Sequence, residues 1–143
     1  MRFTTTQVTQ IVNGKLEGKD INLDGVTQDS RTATANCLFV PLVAERDGHN
    51  YIENAIATGA TAYLTNGPKY TDAVSIEVAD TASALLQLGE AARTSIKSPV
   101  IGITGSVGKT SVKDLTTSVL TQRGLTHSSP RSFNNEIGVP LTL

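Results

Sequence analysis

Apolar positions alternate between helical and strand spacing along most of the chain. Val8, Ile11 and Val12 share one face of a short helix predicted over Thr6 to Asn13, and Gly14 stops it. Ile21, Leu23 and Gly25 alternate with polar residues, which predicts a strand from Ile21 to Thr27 weakened by its glycine. Gln28-Asp29-Ser30-Arg31 follows as a polar turn. Leu38 to Val43 reads as a strand, with Pro41 arguing for an edge or a bulge. Asp47-Gly48-His49 is a second polar turn.

Tyr51 to Thr58 fits a helix that buries Ile52, Ala55 and Ile56 and ends at Gly59. Strands are expected at Thr61 to Thr65 and Val74 to Val78, with Asn66-Gly67-Pro68 breaking the first. Asp80 is the expected N-cap of a helix running to about Ser95, with Ala82, Leu85, Leu86 and Ala92 facing inward. Gly89 inside that helix costs about 1 kcal/mol relative to alanine. Strands alternating with helices place the chain in the α/β class.

Ser95-Ile96-Lys97-Ser98-Pro99 reads as a linker. A second unit follows: a strand from Val100 to Thr104, a glycine-rich turn, and a helix from Lys109 to about Arg123. Val112, Leu115 and Val119 form its apolar stripe and Gly124 its end. The expected organisation is therefore one small mixed α/β domain over residues 1–97 and the first strand–loop–helix unit of a second, incomplete domain over 98–143.

Composition narrows the function classes. The 143 residues are enough for one compact domain and few for two, and 38% hydrophobic against 17% charged residues argues for a globular core. A formal net charge of −1 gives no basic excess for nucleic acid or an anionic membrane surface. The first twenty residues have no apolar stretch of the secretory kind, and the longest near-apolar run, Cys37 to Ala44, is too short to span a bilayer. The expected location is the cytoplasm. The single cysteine, Cys37, excludes an intrachain disulfide and is expected to be a small buried hydrophobe.

The sharpest chemical feature is Thr104-Gly105-Ser106-Val107-Gly108-Lys109-Thr110-Ser111, placed between an apolar run and a helix. Glycines let the backbone approach phosphate oxygens with no Cβ in the way. Amides at a helix start lack intrahelical partners and point at an anion. Lys109 would set a point charge near the β and γ phosphates, and the Thr110 hydroxyl can ligate Mg²⁺. The longer phosphate-loop pattern asks for glycine at 103, where Ile103 stands, so the match is to the shorter Gly-x-x-Gly-Lys-Thr form. ATP and Mg²⁺ are the expected ligands of this loop. A glycine-rich strand-to-helix turn with a solvated lysine is the alternative.

Four segments together resemble the Mur ligase family of peptidoglycan precursor synthesis. They are Thr27-Gln28-Asp29-Ser30-Arg31 with Leu38-Phe39-Val40; Asp47-Gly48-His49-Asn50-Tyr51-Ile52 with Ala55 and Gly59-Ala60; the phosphate loop continued by Val112-Lys113-Asp114-Leu115; and Ser132-Phe133-Asn134-Asn135-Glu136-Ile137-Gly138-Val139-Pro140-Leu141-Thr142-Leu143. The resemblance implies an amino-terminal domain that holds a UDP-N-acetylmuramoyl-peptide and a central P-loop ATPase domain. It further implies an ATP-dependent ligase that makes an amide bond through an acyl phosphate. By the same resemblance, Ser30 and the loop Ala44-Glu45-Arg46 correspond to contacts with the UDP moiety, and Asn134 and Asn135 to a segment near the sugar-peptide substrate. Gly105 to Ser111 correspond to the ATP-binding loop, with Lys109 and Thr110 in the chemistry.

The Gly-Ser-x-Gly-Lys-Thr-Ser form and the Asn-Asn-x-Ile-Gly-Val-Pro stretch stand closer to family members that add D-alanyl-D-alanine. The Val43 to His49 loop has a length nearer members that add the third residue, so both added groups stay open, as does a stand-alone UDP-sugar-binding module. The family's enzymes have three domains, which implies that this chain is an incomplete and, by itself, inactive part, working as a monomer on small molecules. Asp29-Ser30-Arg31 could also be only a capped turn with an ion pair, Asn134-Asn135 a polar turn, His49 a hydrogen-bonded turn residue and His127 a surface residue.

Overall fold

The computed structural model describes residues 2–129 and 137–142. Its centre is a five-stranded sheet in the order β2-β7-β6-β5-β4, formed by Lys15–Glu17 (β2), Val26–Thr27 (β4), Leu38–Phe39 (β5), Ala62–Thr65 (β6) and Val74–Glu77 (β7). β4, β5, β6 and β7 run parallel, and β2 closes the β7 edge antiparallel with Leu16 opposite Ile76. A separate ribbon pairs Phe3–Thr4 (β1) with Asn22–Leu23 (β3).

Strand alternation divides the core in two. Leu38, Val40, Ala62, Leu64, Ile76 and Val78 meet α1 (Thr5–Ile11) and α3 (Thr81–Ser95) on one face, with Val8, Ala84, Leu85 and Leu88 completing the cluster. Phe39 and Tyr63 point the other way and pack with Cys37, Ile52, Ala55 and Ala60 under α2 (Ile52–Thr58). Both faces of the parallel strands are covered, which is why Ala62 to Thr65 are all buried. Cys37 is buried and free, as its apolar neighbourhood predicts.

Several expectations need correction. The predicted strand Ile21 to Thr27 splits at Asp24-Gly25, where Gly25 takes φ +133° and the Asp24 amide donates to Asn36 O at 2.6 Å. Its first half pairs with β1 and its second with β5. β5 is an interior strand, and Pro41 lies beyond its last ladder bond, from Val40 N to Thr27 O at 2.8 Å. A missing N–H costs nothing there, and the Pro41 carbonyl instead accepts from the Thr81 hydroxyl at 2.5 Å.

The inward face of α3 is Thr81, Ala84, Leu85, Leu88, Gly89 and Ala92, whereas Ala82 and Leu86 are exposed. Asp80 caps the helix as expected, accepting from Ser83 N at 2.8 Å. Residues 100–104 form no strand and are mostly exposed: among the described residues no strand lies beside them to satisfy their backbone. The helix beyond them forms as α4 (Lys109–Thr121), but its stripe of Val112, Leu115 and Val119 is exposed. A last short helix, α5 (Gly138–Thr142), packs on α3, with Ile137 and Leu141 against the first core cluster.

The link from β6 to β7 spans only residues 66–73, short for a parallel crossover. It suffices because a four-residue strand is about 13 Å long at ~3.3 Å per residue. The buried Tyr63 hydroxyl accepts from Tyr70 N at 3.0 Å and Thr71 N at 3.3 Å, pinning the returning chain.

Candidate functional site

The loops that follow β4, β5 and β6 leave the carboxyl ends of three adjacent parallel strands, where open α/β sheets collect ligands. Ser30 lies in a 3-10 turn, Ser30–Thr32, just after β4. Asp29 caps that turn, accepting from Arg31 N at 3.0 Å. Its carboxylate also takes both Nε and Nη2 of Arg31, at 2.8 and 2.6 Å, and this pairing raises the Arg31 pKa. The capped turn with its ion pair is thus present. Ser30 itself is buried, and its Oγ accepts from Asn54 Nδ2 of α2 at 2.9 Å. Asn54 had no signal in the sequence, since nothing in a helix period marks a polar residue that reaches back to a turn 24 positions earlier.

Ala44, Glu45 and Arg46 form an exposed tight loop closed by Ala44 N to Arg46 O at 3.1 Å and by a bridge between Val43 and Asp47. Gly48 lets the chain fold back on Leu42, since a Cβ there would stand 2.6 Å from Leu42 N and O. Below the loop, His49 is buried. Its Nδ1 lies 2.6 Å from Asp47 Oδ1, and its Nε2 accepts from Asn66 N at 3.4 Å, which selects the Nδ1–H tautomer. The Asp47 carboxyl is held below its ordinary pKa, first by the His49 N–H and then by the imidazole. Tyr70 lies over the imidazole at 5.8 Å between ring centroids. His49 is a hydrogen-bonded turn residue that joins the loops after β5 and β6, and His127 is exposed.

The phosphate loop stands apart. Gly105 has φ +154° and Gly108 φ +77°, both in the region that favours glycine. A Cβ on Gly108 would meet nothing within 4 Å, so the requirement there is backbone conformation and not space. Gly108 is the N-cap of α4 and offers no side-chain cap to the helix. Ser106 and Val107 are exposed, Thr110 and Ser111 open the exposed face of α4, and Lys109 Nζ donates to Gly105 O at 2.5 Å, so its ammonium lies over the loop. A loop of this shape at a helix start suits an anion.

Asn134 and Asn135 lie outside the described residues. Among the described residues no group of three or more His, Cys, Asp or Glu side chains could hold a metal ion, and no helix is long and apolar enough to cross a membrane.

Comparison with known proteins bears on both regions. Residues 103–143 match the Mur ligase middle domain. The chain is 45% identical over 141 residues, 98% of its length, to the UDP-N-acetylmuramoyl-tripeptide–D-alanyl-D-alanine ligase of Escherichia coli K12. It is 38% identical over 151 aligned positions to the enzyme of that name from Bacillus subtilis 168. It spans 31% and 33% of those two proteins. Among solved structures, MurF from Acinetobacter baumannii superposes with a TM-score of 0.85 at 30% identity, covering all of this chain and 33% of that one. MurF from Thermotoga maritima in complex with ADP superposes at 0.62 and 26% identity, over 82% of this chain and 28% of that one.

Proposed function

Since the chain belongs to the Mur ligase family, we propose that it carries the UDP-substrate site and the ATP phosphate loop of a ligase that joins D-alanyl-D-alanine to UDP-N-acetylmuramoyl-tripeptide. Residues 1–97 form the UDP-substrate-binding domain and 98–143 begin the central ATP-binding domain. The observation that carries this reading is a single match over 98% of the chain, running through both the sheet edge and the phosphate loop. The substrate in the relatives' names favours D-alanyl-D-alanine over a single third residue. The whole ligase's activity is a property of a protein about three times this length, so this chain alone is expected to bind and not to turn over.

A carboxylate and an amine do not condense unaided in water, and phosphorylation of the carboxylate by ATP gives the acyl group a leaving group. Lys109 would stabilise negative charge on the phosphoryl group in transfer, and the α4 amides after Gly108 would hold the phosphates. Gly105, Ser106, Val107, Gly108, Lys109, Thr110 and Ser111 make up that cradle. The Thr110 hydroxyl fits Mg²⁺ as one hard oxygen ligand, with phosphate oxygens and water as the usual remainder. Bound there, the ion would neutralise phosphate charge. Ser30 with Ala44, Glu45 and Arg46 would hold the UDP moiety, and Asn134 with Asn135 the sugar-peptide.

Calorimetric titration tests the reading. The chain should bind UDP and UDP-N-acetylmuramoyl-tripeptide, and bind Mg²⁺-ATP more weakly, because the described residues offer ATP a loop with no further walls. Absence of heat with both uridine ligands at millimolar concentration, from a folded chain, would overturn it.

A further inference from the structure

Ala44, Glu45 and Arg46, assigned above to the UDP moiety, have no burial of their own. Val43 to Asp47 are all exposed, and on the carboxyl side the first buried residue is His49. Backbone bonds close the loop on itself: the bridge between Val43 and Asp47, Ala44 N to Arg46 O at 3.1 Å, and Gly48 N to Leu42 O at 2.9 Å. Solvent competes with backbone bonds in an exposed loop, so these alone leave its place on the sheet edge weakly determined.

His49 supplies a reference from outside the loop. A buried imidazole needs partners for both nitrogens, and here the two partners belong to different loops. Nδ1 donates to Asp47 Oδ1 at 2.6 Å, in the loop after β5, and Nε2 accepts from Asn66 N at 3.4 Å, directly after β6. Tyr70 lies over the ring, and its own N–H donates to the Tyr63 hydroxyl of β6 at 3.0 Å. The imidazole is thus fixed from β6, and Asp47 is the loop residue it holds. Asp47 Oδ1 also accepts from His49 N at 2.9 Å, capping the 3-10 turn Gly48–Tyr51. That backbone bond is local to residues 47 and 49 and sets nothing relative to β6; the ring bond does. We infer that His49 is a positioning residue for uridine binding: held from β6 by Asn66 N and Tyr70, its Nδ1–H fixes Asp47 and so places the Ala44-Glu45-Arg46 loop at the sheet edge. His49 acts through Asp47 and not by touching the ligand. This rests on the reading above that the loop holds the UDP moiety.

The test uses the full chain with two replacements that separate the two ring bonds. In His49→Asn the side-chain amide reaches as far as Nδ1 did and still donates to Asp47. In His49→Gln the amide oxygen reaches as far as Nε2 did and still accepts from Asn66 N, while the donor to Asp47 is lost. Both lose the ring packed under Tyr70, so a merely structural role predicts that UDP affinity follows melting temperature alike in the two. Positioning through Asp47 predicts a split: by calorimetry, UDP affinity about tenfold weaker in His49→Gln and within about threefold of wild type in His49→Asn. Backbone order at Ala44, Glu45 and Arg46, read by nitrogen relaxation on the ligand-free chain, should fall in His49→Gln and hold in His49→Asn. On an Asp47→Ala background, His49→Gln should weaken UDP binding no further. Affinity and loop order unchanged in His49→Gln, or falling with melting temperature alike in both variants, overturn the positioning role. If the wild-type chain binds no UDP, the proposed function falls and takes the uridine role of His49 with it, while loop order alone decides whether His49 holds the loop.

Discussion

Asn54 Nδ2 donates to Ser30 Oγ at 2.9 Å, tying α2 to the turn that follows β4. Ser30 is buried and Asn54 exposed, so the bond stands at the rim of the proposed uridine site. Asn54→Ala leaves the Ser30 hydroxyl without this donor and should cost about 0.5–1.5 kcal/mol of stability. It should also weaken UDP binding in the same direction as Ser30→Ala, because both loosen the turn. Thermal melts and UDP titration of the two variants check this. A stability loss with unchanged UDP affinity in both would remove Ser30 from the uridine site.

Thr81 couples the start of α3 to the end of β5: its hydroxyl is buried and donates to the Pro41 carbonyl. Thr81→Val keeps the shape and removes the donor, leaving a buried carbonyl with one partner fewer. The expected loss is ~1–3 kcal/mol, read as a lower denaturation midpoint with an unchanged denaturant slope. A change within a few tenths of a kcal/mol would show that this bond adds nothing beyond what solvent supplies in the unfolded chain.

Most of the helices and the buried strand β6 were legible because their signals are local. Asp80 caps α3, Gly59 ends α2, and the strand expected at Thr61 to Thr65 forms as β6, with Ala62, Tyr63 and Leu64 buried. What failed depends on partners distant in sequence. Pro41 argued for an edge only until β4 and β6 were seen on either side of β5. Ala82 and Leu86 are apolar but turn outward, because the width of the buried stripe is set by the sheet beneath it. Residues 100–104 have strand-like residues but no neighbouring strand among the described residues, and hydrogen-bonded pairing is what makes a strand. At the site, the conformational demand of Gly105 and Gly108 was readable from residue type alone. The Asn54–Ser30 bond, the bridging role of His49 and the packing of α5 on α3 are tertiary and were not.

The carboxyl groups of Asp80 and Asp20 sit below their ordinary pKa. The Ser83 side chain and amide lower the first, and the Thr6 amide leads for the second. A group whose pKa is lower folded than unfolded contributes stability that is fully present above its unfolded value, about 3.9 for Asp. The contribution is lost as pH falls through the lower folded value. Stability should therefore hold from neutral pH to about 5 and decline below about 4. Asp80→Asn keeps a competent cap and removes the titration, so it should flatten part of that acid limb. Melting temperatures at a series of pH values, wild type against Asp80→Asn, decide it; parallel curves would mean that Asp80 does not contribute to the acid transition.

On the proposed function, Lys109 would bear on the reaction and not on the uridine contacts. Its ammonium already lies over the loop, donating to Gly105 O, and the loop's backbone is set by Gly105 and Gly108 without it. In the complete ligase, Lys109→Ala should leave the KM for the UDP substrate nearly unchanged and lower kcat. Loss of one preorganised electrostatic donor costs about 2.7–4 kcal/mol, or ~10²–10³ in rate. Lys109→Arg should also fail, because a planar fork does not take the place of a compact ammonium folded back on a tight loop. Ser30→Ala should show the opposite split, a raised KM with kcat spared at saturation. The phosphate loop lies in a stretch with no strand to brace it among the described residues, so binding of Mg²⁺-ATP by the 143-residue chain should also drop in Lys109→Ala while UDP binding holds. A Lys109→Ala ligase with near-normal kcat would show that this loop does not handle the transferred phosphoryl group, whatever its glycines suggest.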